Sequence, residues 1–353
     1  MSRRLLSPEA LARALAVRDL TDPAQGRHAM QVLLHDLVSS LATHWRCPVE
    51  VIRGSPIVSV SDNYDALGYP PDGASRDARY TRYVTHDTLL RTQTSAMIPG
   101  ALRVRKRSDA LLVVPGLVYR RDCVDRLHTG EPHQVDLWRI GGDATTRELM
   151  ELVVQSTLPG HEWRATQTSH PYTMNGLQLD VRDDQHGEWV EIGECGEINT
   201  PLLGVRGLAM GLGLDRLLML RKGIPDIRRV RDEMLDLSPW KPTSNQPSVR
   251  RDLSLAVDPS RAEAELLGDR VREVLGDRAS LVESVEVLSV TPASALSLAA
   301  RARIGMTLEQ SNVLLRLTLR ALERTLTTAE CNTLRDDVYR ALHEGSVWTW
   351  ASC

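Results

Sequence analysis

A glycine-spaced stretch near the middle of the chain ends in an arginine that could bind a polyphosphate. Residues 207–216 read GLAMGLGLDR, and an apolar run follows that ends in Lys222 and Gly223. The alternation predicts a buried strand, and the later apolar spacing predicts a helix. Glycines at such a junction let a flat ligand approach the backbone, and the Arg216 guanidinium could meet its phosphates. A buried strand packed on a helix, with a structural salt bridge, explains the stretch equally well.

A second arginine, Arg120, lies in a predicted antiparallel hairpin. We predict strands at 118–122 and 133–140, joined by a polar loop that contains His128. Arg120 and His128 would then donate hydrogen bonds to phosphates, and the strands would form a flat floor for a base. Structural roles are the alternatives to phosphate binding: Arg120 could form a cross-strand pair with Asp122, and His128 could be a solvated loop residue.

The strands and helices predicted around these residues indicate an α+β fold. Antiparallel strand pairs with helices outside them extend to residue 236, and a proline-rich linker follows at 237–247. Residues 248–353 have the order β-α-β-β-α-β, which is typical of a ferredoxin-like domain, and the last strand is predicted at 346–350. The chain contains no G-x-G-x-x-G or Walker signature, so a doubly wound nucleotide-binding fold is not expected.

Composition indicates a soluble globular protein. The chain is 42% apolar and 25% charged, with a net charge of −3 that gives no overall attraction to nucleic acid. No apolar run is long enough to span a membrane, and no signal peptide is apparent. The five cysteines are scattered and form no C-x-x-C pair, so we expect neither a zinc site nor a disulfide framework, and a cytoplasmic location.

Four motifs in order resemble those of class II aminoacyl-tRNA synthetases, and specifically of phenylalanyl-tRNA synthetases. YRRD at 119–122 resembles the second class II motif, and GLGLDR at 211–216 resembles the third. GIPDIR at 223–228 is a phenylalanyl-type continuation, and PSVRRDLSL at 247–255 resembles the start of an anticodon-binding domain. The similarity covers residues 60–353 and implies the single-chain mitochondrial arrangement, with a catalytic domain at 1–236 and an anticodon-binding domain at 248–353.

The resemblance implies ATP, Mg²⁺, an amino acid and tRNA as ligands, and it assigns residues to each. Arg120 would bind the α-phosphate and the amino acid carboxylate, and Arg216 would hold ATP in its bent form. Glu191 would help to hold magnesium. Gln134 and Asp136, which share one strand face, would recognise the substrate ammonium group. The remaining implied residues are Asp122, Arg126, His128, Gly211, Gly213 and Asp215 for ATP, and Gln93 and Ser95 for the amino acid.

The side-chain pocket departs from the family pattern. The family carries Phe-Pro-Phe, whereas this chain has His170-Pro171-Tyr172. Tyr172 can still stack on a ring, but His170 is smaller and polar. The expected pocket floor also departs, because Glu194 precedes Cys195 and Gly196 in a context that is usually apolar. A pocket with polar groups favours a substrate that supplies a hydrogen bond, so we expect a polar, aromatic or β-substituted amino acid.

Two composition biases leave alternatives open. The chain has no Phe, and only three of its 43 basic residues are lysines. A GC-rich coding sequence would produce both biases. A chain that makes phenylalanyl-tRNA would also gain from a Phe-free sequence, since it could be translated when that product is scarce.

Three functions remain open from the sequence. The first is aminoacylation of tRNA, with Arg250, Arg251, Arg316 and Arg320 as candidate RNA contacts. The second is a paralogue that adenylates another amino acid and passes it to an acceptor other than tRNA. The charge over 248–353 favours the second, because thirteen arginines against fifteen acids give a net of −2. The third is a non-catalytic RNA-binding protein. We expect a monomer or homodimer without a second kind of subunit.

Overall fold

The computed structural model describes residues 5–105, 109–121, 123–232, 234–240 and 246–348. The chain divides into two compact units. Unit 1 comprises Met1–Arg120 and Glu131–Trp240, and unit 2 comprises Arg121–Gly130 and Lys241–Cys353. The division after Trp240 falls inside the linker predicted at 237–247, of which residues 241–245 lie outside the described residues. The assignment of 121–130 to unit 2 was not predicted.

Unit 1 contains both helices and strands. Its helices are α1 (Pro8–Leu15), α2 (Ala29–Trp45), α3 (Val60–Asn63), α4 (Ile98–Val104), α5 (Thr146–Thr157), α6 (Thr200–Leu203) and α7 (Leu214–Lys222). Its strands are β1 (Val49–Val51), β2 (Ile57–Ser59), β3 (Thr88–Leu90), β4 (Ala110–Leu117), β5 (His133–Ile140), β6 (Trp163–Gln167), β7 (Thr173–Arg182), β8 (Trp189–Ile198) and β9 (Gly207–Gly213). None of the helices in the described residues is long and apolar enough to cross a membrane.

Most of these strands form one sheet, and this confirms the predicted α+β fold. Among the described residues its order is β1-β4-β5-β9-β8-β7-β6. Only the β1–β4 pair is parallel, so the sheet is antiparallel through its middle. Helices α5 and α7 pack against β8, and α2 packs against both helices. The central strands β5, β9 and β8 therefore have helices on one face and leave the other face to the site.

The junction of β9 and α7 forms as the sequence predicts. The strand covers Gly207–Gly213 and the helix begins at Leu214. Leu214, Leu217 and Leu218 are fully buried because their helical spacing places them on one face. The helix ends at Gly223, whose φ of 68° lies in the left-handed region that glycine adopts without cost.

Unit 2 contains a three-stranded antiparallel sheet with helices. Its elements are β10 (Val249–Val257), α8 (Ala264–Leu275), β11 (Val282–Pro292), α9 (Leu298–Ile304), β12 (Ser311–Leu319) and α10 (Thr328–Leu342), with strand order β10-β12-β11. The predicted last strand does not form over residues 346–348, and residues 349 and 350 lie outside the described residues. The ferredoxin-like fold, which needs a fourth strand, stays a prediction.

The strand predicted at 118–122 is wrong. Strand β4 ends at Leu117, no strand is assigned to residues 118–121, and residue 122 is outside the described residues. The chain instead contributes to unit 2: Arg121 forms an ion pair with Asp269 at 2.6 Å, and Val124 accepts a backbone hydrogen bond from Val285 at 2.8 Å. Val124 is buried in the core of unit 2. Partners far along the chain therefore override the local β pattern.

Candidate functional site

The residues predicted for the site meet on three neighbouring strands. In the ladder Gln134 pairs with Gly213, and Asp136 pairs with Gly211. Gly211 pairs in turn with Glu194 on β8. Residues directly opposite one another project to the same face of a sheet. Gln134, Asp136 and Glu194 therefore border a patch of the sheet where two glycines provide no side chain.

Neither the backbone conformation nor the packing requires glycine at positions 211 and 213. A Cβ atom at Gly211 would approach nothing closer than the Asp136 Oδ2 at 4.0 Å, and one at Gly213 nothing closer than the Ile192 oxygen at 3.8 Å. Gly213 has a φ of −82°, and Gly211 is not among the residues with positive φ. By contrast, a Cβ at Gly193 or Gly207 would overlap backbone atoms. The open patch keeps space for something that is not part of the chain.

Arg216 borders the patch from the first turn of α7. Its Nη1 donates to the backbone oxygen of Glu191 at 3.0 Å, and the Glu191 carboxylate lies 3.9 Å away. The Arg216 side chain is 23% exposed, so part of the guanidinium remains accessible. Arg120 is also partly exposed, and its Nε donates to the Thr92 oxygen at 2.8 Å. Both predicted phosphate ligands thus have oriented side chains.

A β-bulge brings the acids of β8 to the site face. Asp180 pairs with Glu191 and Leu179 with Gly193, so Ile192 has no partner in the ladder. Because the extra residue shifts the alternation, Glu191 and Glu194 project to the same face although they are three residues apart. Plain alternation along the sequence does not predict this.

Asp136 is enclosed by donors. It is 1% exposed, and its carboxylate accepts hydrogen bonds from Thr94 at 2.6 Å, Ser95 at 2.8 Å and the Trp138 indole at 3.2 Å. Burial raises the pKa of Asp136, and these three donors oppose the rise. Ser95, which was predicted to bind the amino acid, lies beside the acid, and this contact was not predicted. Thr94 was missed because only the fold brings it to Asp136, whereas Trp138, two residues along the same strand, could have been found from alternation.

The two glutamines differ in how much of their hydrogen-bonding capacity is used. The Gln93 amide donates to the Asn63 oxygen at 3.1 Å and accepts from the Tyr69 hydroxyl at 3.2 Å. The Gln134 Oε1 atom is buried without a partner in the part of the chain that the structure describes. An orphaned buried acceptor costs about 1–3 kcal/mol, so Gln134 is the residue that a ligand donor would satisfy.

His170 and Tyr172 lie in a column of rings. Tyr172 stacks on Trp138 with centroids 5.8 Å apart and on His170 with centroids 5.7 Å apart. His170 forms an ion pair through Nε2 with the Glu194 carboxylate. The hydrogen bond that His170 donates to the Glu194 carboxylate raises the pKa of His170. Burial alone would raise the pKa of Glu194, but the bonds from His170 and Thr168 lower it.

Cys195 departs from the predicted pocket floor. It follows Glu194 in β8 and pairs with Met210, so its side chain projects to the opposite face of the sheet. Burial raises the pKa of this thiol to about 12. Gly196 does lie on the site face, but a Cβ there would come within 2.9 Å of the Met174 oxygen, so packing alone requires this glycine.

Asp215, which was predicted to bind ATP, instead accepts hydrogen bonds from His133. It is 4% exposed and accepts from the His133 Nδ1 at 2.9 Å and from the His133 backbone amide. The His133 Nε2 accepts the Leu20 amide at 3.0 Å, so the imidazole is the neutral tautomer with its proton on Nδ1. Asp215 therefore joins β5 to α7 and orients the turn that carries Arg216. His133 was not predicted.

The predicted loop residues belong to unit 2. The Asp125 carboxylate accepts hydrogen bonds from the His128 Nδ1 at 2.8 Å and from the Leu127 amide at 2.7 Å. With Cys123, these side chains form a cluster whose ligand atoms all lie within 4.8 Å of one another. Arg126 is partly buried in the same loop, and Asp122 lies outside the described residues.

The four arginines predicted to contact RNA lie along the sheet of unit 2. Arg316 forms a two-point pair with Asp252, with both distances 2.8 Å, and Arg320 pairs with Glu283 at 2.9 Å. Arg251 donates to Asn332 at 3.1 Å and to the backbone oxygen of Arg250 at 2.9 Å. Two of the four guanidinium charges are thus balanced within the unit.

Comparison with known proteins identifies the family. The model for the tRNA synthetase class II core domain (F) matches residues 20–239, which is more than half of the chain. The chain belongs to the class II aminoacyl-tRNA synthetases. The match confirms the resemblance predicted from motifs 119–122 and 211–216, and it makes the chain a ligase of the synthetase type.

The matching relatives include phenylalanine–tRNA ligases. This synthetase is 29% identical over 324 residues to the chloroplastic/mitochondrial phenylalanine–tRNA ligase of Arabidopsis thaliana, covering 82% of the chain and 71% of that enzyme. It is 32% identical over 192 residues to a phenylalanine–tRNA ligase alpha subunit of Prochlorococcus marinus (strain NATL2A), covering 51% of the chain and 56% of that subunit. The synthetase thus spans just over half of the bacterial subunit. A pyrrolysyl-tRNA synthetase of Desulfitobacterium hafniense aligns with a TM-score of 0.46 at 15% identity, covering 65% of this chain and 81% of that one.

Proposed function

We propose that this synthetase uses ATP to activate an amino acid as the aminoacyl-adenylate and transfers it to tRNA. The observation that carries the proposal is the open patch at Gly211 and Gly213, bordered by Arg216 and by the orphaned Gln134 acceptor. Relatives named phenylalanine–tRNA ligases support the same activity. The substrate is an aromatic or related amino acid.

The residues present fit ATP with Mg²⁺. The flat patch at Gly211 and Gly213 accommodates a base or sugar, and the partly exposed Arg216 neutralises phosphate charge. Mg²⁺ binds through one or two carboxylates together with substrate phosphates, and the exposed Glu191 provides such a carboxylate beside Arg216. When bound, Mg²⁺ would supply further neutralisation of the phosphate charge.

The reaction itself requires positioning more than a protein nucleophile. A substrate carboxylate oxygen forms a bond to the α-phosphorus while the bond to pyrophosphate breaks. Arg120 balances the charge that develops at the phosphorus, and Thr92 holds its Nε in place. The Gln134 Oε1 accepts a hydrogen bond from the substrate ammonium group, which removes the cost of its own burial. The Asp136 carboxylate, held in place by three hydrogen-bond donors, adds negative charge near the substrate ammonium group.

Two assays test the proposal. ATP–pyrophosphate exchange, run on the full chain with each amino acid in turn, measures activation. Charging of total tRNA with the amino acid that gives exchange measures transfer. Exchange without charging would contradict tRNA as the acceptor, and no exchange with any amino acid would contradict the activation step.

The glycine patch gives a direct prediction. Gly213→Ala should leave the melting temperature nearly unchanged, because its Cβ meets ordinary contacts at 3.8 Å. The methyl group would occupy ligand space, so KM for ATP in the exchange assay should rise about tenfold, the equivalent of ~1.4 kcal/mol. Gly100→Ala in α4, where a Cβ meets only the Arg103 side chain at 3.6 Å, is the matched control and should leave KM unchanged. Equal KM values for the two variants would show that the patch is not an ATP floor.

Because acids balance several arginines of unit 2, we expect only a weak electrostatic contribution of this unit to tRNA binding. If Arg316 contacts a phosphate, Arg316→Ala should reduce the slope of log K against log salt for tRNA binding by about 0.7–0.9. Asp252→Asn should instead strengthen binding severalfold, because it releases the guanidinium from its two-point pair. Filter binding over a KCl series measures both. Arg324→Ala, which removes another paired arginine, is the control; loss of slope equal to that of Arg316→Ala would show a non-specific effect.

We also propose a reducing cytoplasm and a chain that acts without a second kind of subunit. Cys47, Cys123, Cys195 and Cys331 form no disulfide in the part of the chain that the structure describes, which suits a reducing compartment. Unit 2 follows the catalytic unit in the same chain, and the alignment with the plant enzyme extends through 82% of this chain. Light scattering at micromolar concentration would distinguish the monomer from the homodimer, and activity of the purified chain alone tests the need for another subunit.

A further inference from the structure

We propose that His170 and Glu194 select an aromatic amino acid that carries a hydroxyl group on its side chain, in preference to phenylalanine. The inference rests on the proposed function, because it names the substrate class of the same site. It depends on where the pair lies, on its unused hydrogen-bonding capacity and on the rings beside it.

The pair lies on the site face of the sheet. Glu194 is opposite Gly211, and Gly211 is opposite Asp136, so Glu194 lies on the same face as the enclosed acid. His170 is next to Glu194 and is joined to it by the ion pair. Their side chains are 28% and 26% exposed, whereas Tyr172 and Asp136 beside them are buried. A charged pair thus faces accessible space within a buried surrounding.

The pair has both a donor and an acceptor to offer. The Glu194 oxygens accept from Thr168 at 2.9 Å and from the His170 Nε2, and a carboxylate oxygen accepts more than one hydrogen bond. The His170 Nδ1 has no hydrogen-bond partner in the described part of the chain, and in the imidazolium this atom is a donor. The two ring nitrogens of an imidazole point away from each other, so one hydroxyl group can accept from the Nδ1 or donate to the carboxylate that is bound at Nε2, but not both. A phenyl ring can do neither.

The neighbouring rings favour an aromatic side chain. Trp138, Tyr172 and His170 follow one another with interplanar angles of 17° and 28°, which is a nearly parallel column. Tyr172 lies between the other two rings and Trp138 is fully buried, so Tyr172 is not free to stack on a substrate as predicted, and the accessible end of the column is His170. An aromatic substrate would pack on the His170 ring. The substrate class that satisfies both the rings and the ion pair is a hydroxylated aromatic amino acid.

The expected preference is substantial but limited. A site built to bind a hydroxyl rejects the analogue without it by up to about 10⁴–10⁵ when its polar groups lose all partners. His170 and Glu194 still satisfy each other when no hydroxyl is present. We therefore expect a preference of about 10- to 100-fold over phenylalanine, which corresponds to the loss of one hydrogen bond to a charged group.

Calorimetric binding to the full chain tests the inference without requiring turnover. The ligands are L-phenylalanine, L-tyrosine, L-meta-tyrosine and β-hydroxyphenylalanine. At least one hydroxylated ligand should bind tenfold or more tightly than phenylalanine. His170→Phe keeps a ring stacked on Tyr172. In this variant the hydroxylated ligand and phenylalanine should bind with affinities that differ by no more than about threefold. Glu194→Gln, which keeps the shape but removes the charge, should reduce the affinity ratio in part, and His161→Phe, a change at another partly exposed histidine, should leave it intact.

The outcomes separate the inference from the proposed function. Phenylalanine binding as tightly as every hydroxylated ligand would overturn the inference, whether or not exchange occurs. An unchanged ratio in both His170→Phe and Glu194→Gln would also overturn the role of the pair. A hydroxyl preference in binding that is not accompanied by pyrophosphate exchange would support the inference and contradict the proposed activation.

Discussion

Arg216→Ala should lower kcat/KM for ATP in pyrophosphate exchange by about 10²–10³-fold, as does removal of one preorganised donor to a developing charge. The arginine stands in the first turn of α7 at the edge of the glycine patch, and its Nη1 is fixed by the backbone oxygen of Glu191. The Arg216 side chain is partly exposed, and substitutions at such positions cost little stability. The lost interaction should therefore appear in catalysis and not in stability.

Arg221→Ala is the matched control for this variant. It removes the same charge from the last turn of the same helix, beyond the glycine patch. We expect less than a twofold change in kcat/KM for Arg221→Ala and melting temperatures within about 2 °C for both variants, because exposed or half-exposed substitutions cost little. A similar loss of activity in both would show that helix charge in general, and not the position of Arg216, matters.

Asp215→Ala should destabilise the catalytic unit by about 2–6 kcal/mol, because two buried donors lose their acceptor at about 1–3 kcal/mol each. The substitution leaves the His133 amide and Nδ1–H without an acceptor at a site where His133 is fully buried. It also releases the contact that joins the start of β5 to the start of α7. Urea unfolding measures the change, and Asp143→Ala, which removes an exposed acid, should cost less than about 0.5 kcal/mol.

The same residue gives a pH dependence whose sign follows from its environment. Burial would raise the pKa of Asp215, but the side-chain and backbone hydrogen bonds that it accepts from His133 lower it. A carboxylate whose pKa is lower in the folded state stabilises the fold above its unfolded pKa of about 3.9, and this contribution is lost as the pH falls further. The stability difference between the wild type and Asp215→Asn should therefore be constant near neutral pH and narrow below about pH 4. A difference that widens on acidification would contradict the assignment.

Local pattern predicted the central strands well. Strand β5 and the β9–α7 junction occur at the predicted residues because alternation, helical spacing and a terminal glycine all favour the same structure. Gln134 and Asp136 therefore lie on one face, as alternation along the strand predicted, and the pairing of the strands adds Gly211 and Gly213 to that face. The contact of Ser95 with Asp136 was not predicted.

The failures lie where distant partners decide the structure. Residues 118–121 alternate as a strand would, yet Asp269 and Val285, which lie more than a hundred residues later, provide the contacts of the segment that follows. The bulge at Ile192 moves Glu191 to the site face, and only the pairing with Asp180 reveals it. Helix α9 was not predicted, because its short run of alternating Ala and Arg has no strong apolar stripe.

The order of synthesis adds a constraint to the chain between β4 and β5. Val124 leaves the ribosome roughly 160 residues before Val285, its backbone partner in unit 2, and at about 5–20 residues per second the interval is about 8–30 s. During that time the surrounding sheet can already form, while Val124 still lacks its apolar cover and Arg121 lacks Asp269. The segment that follows Arg120 can thus take its final arrangement only after most of the polypeptide has been made.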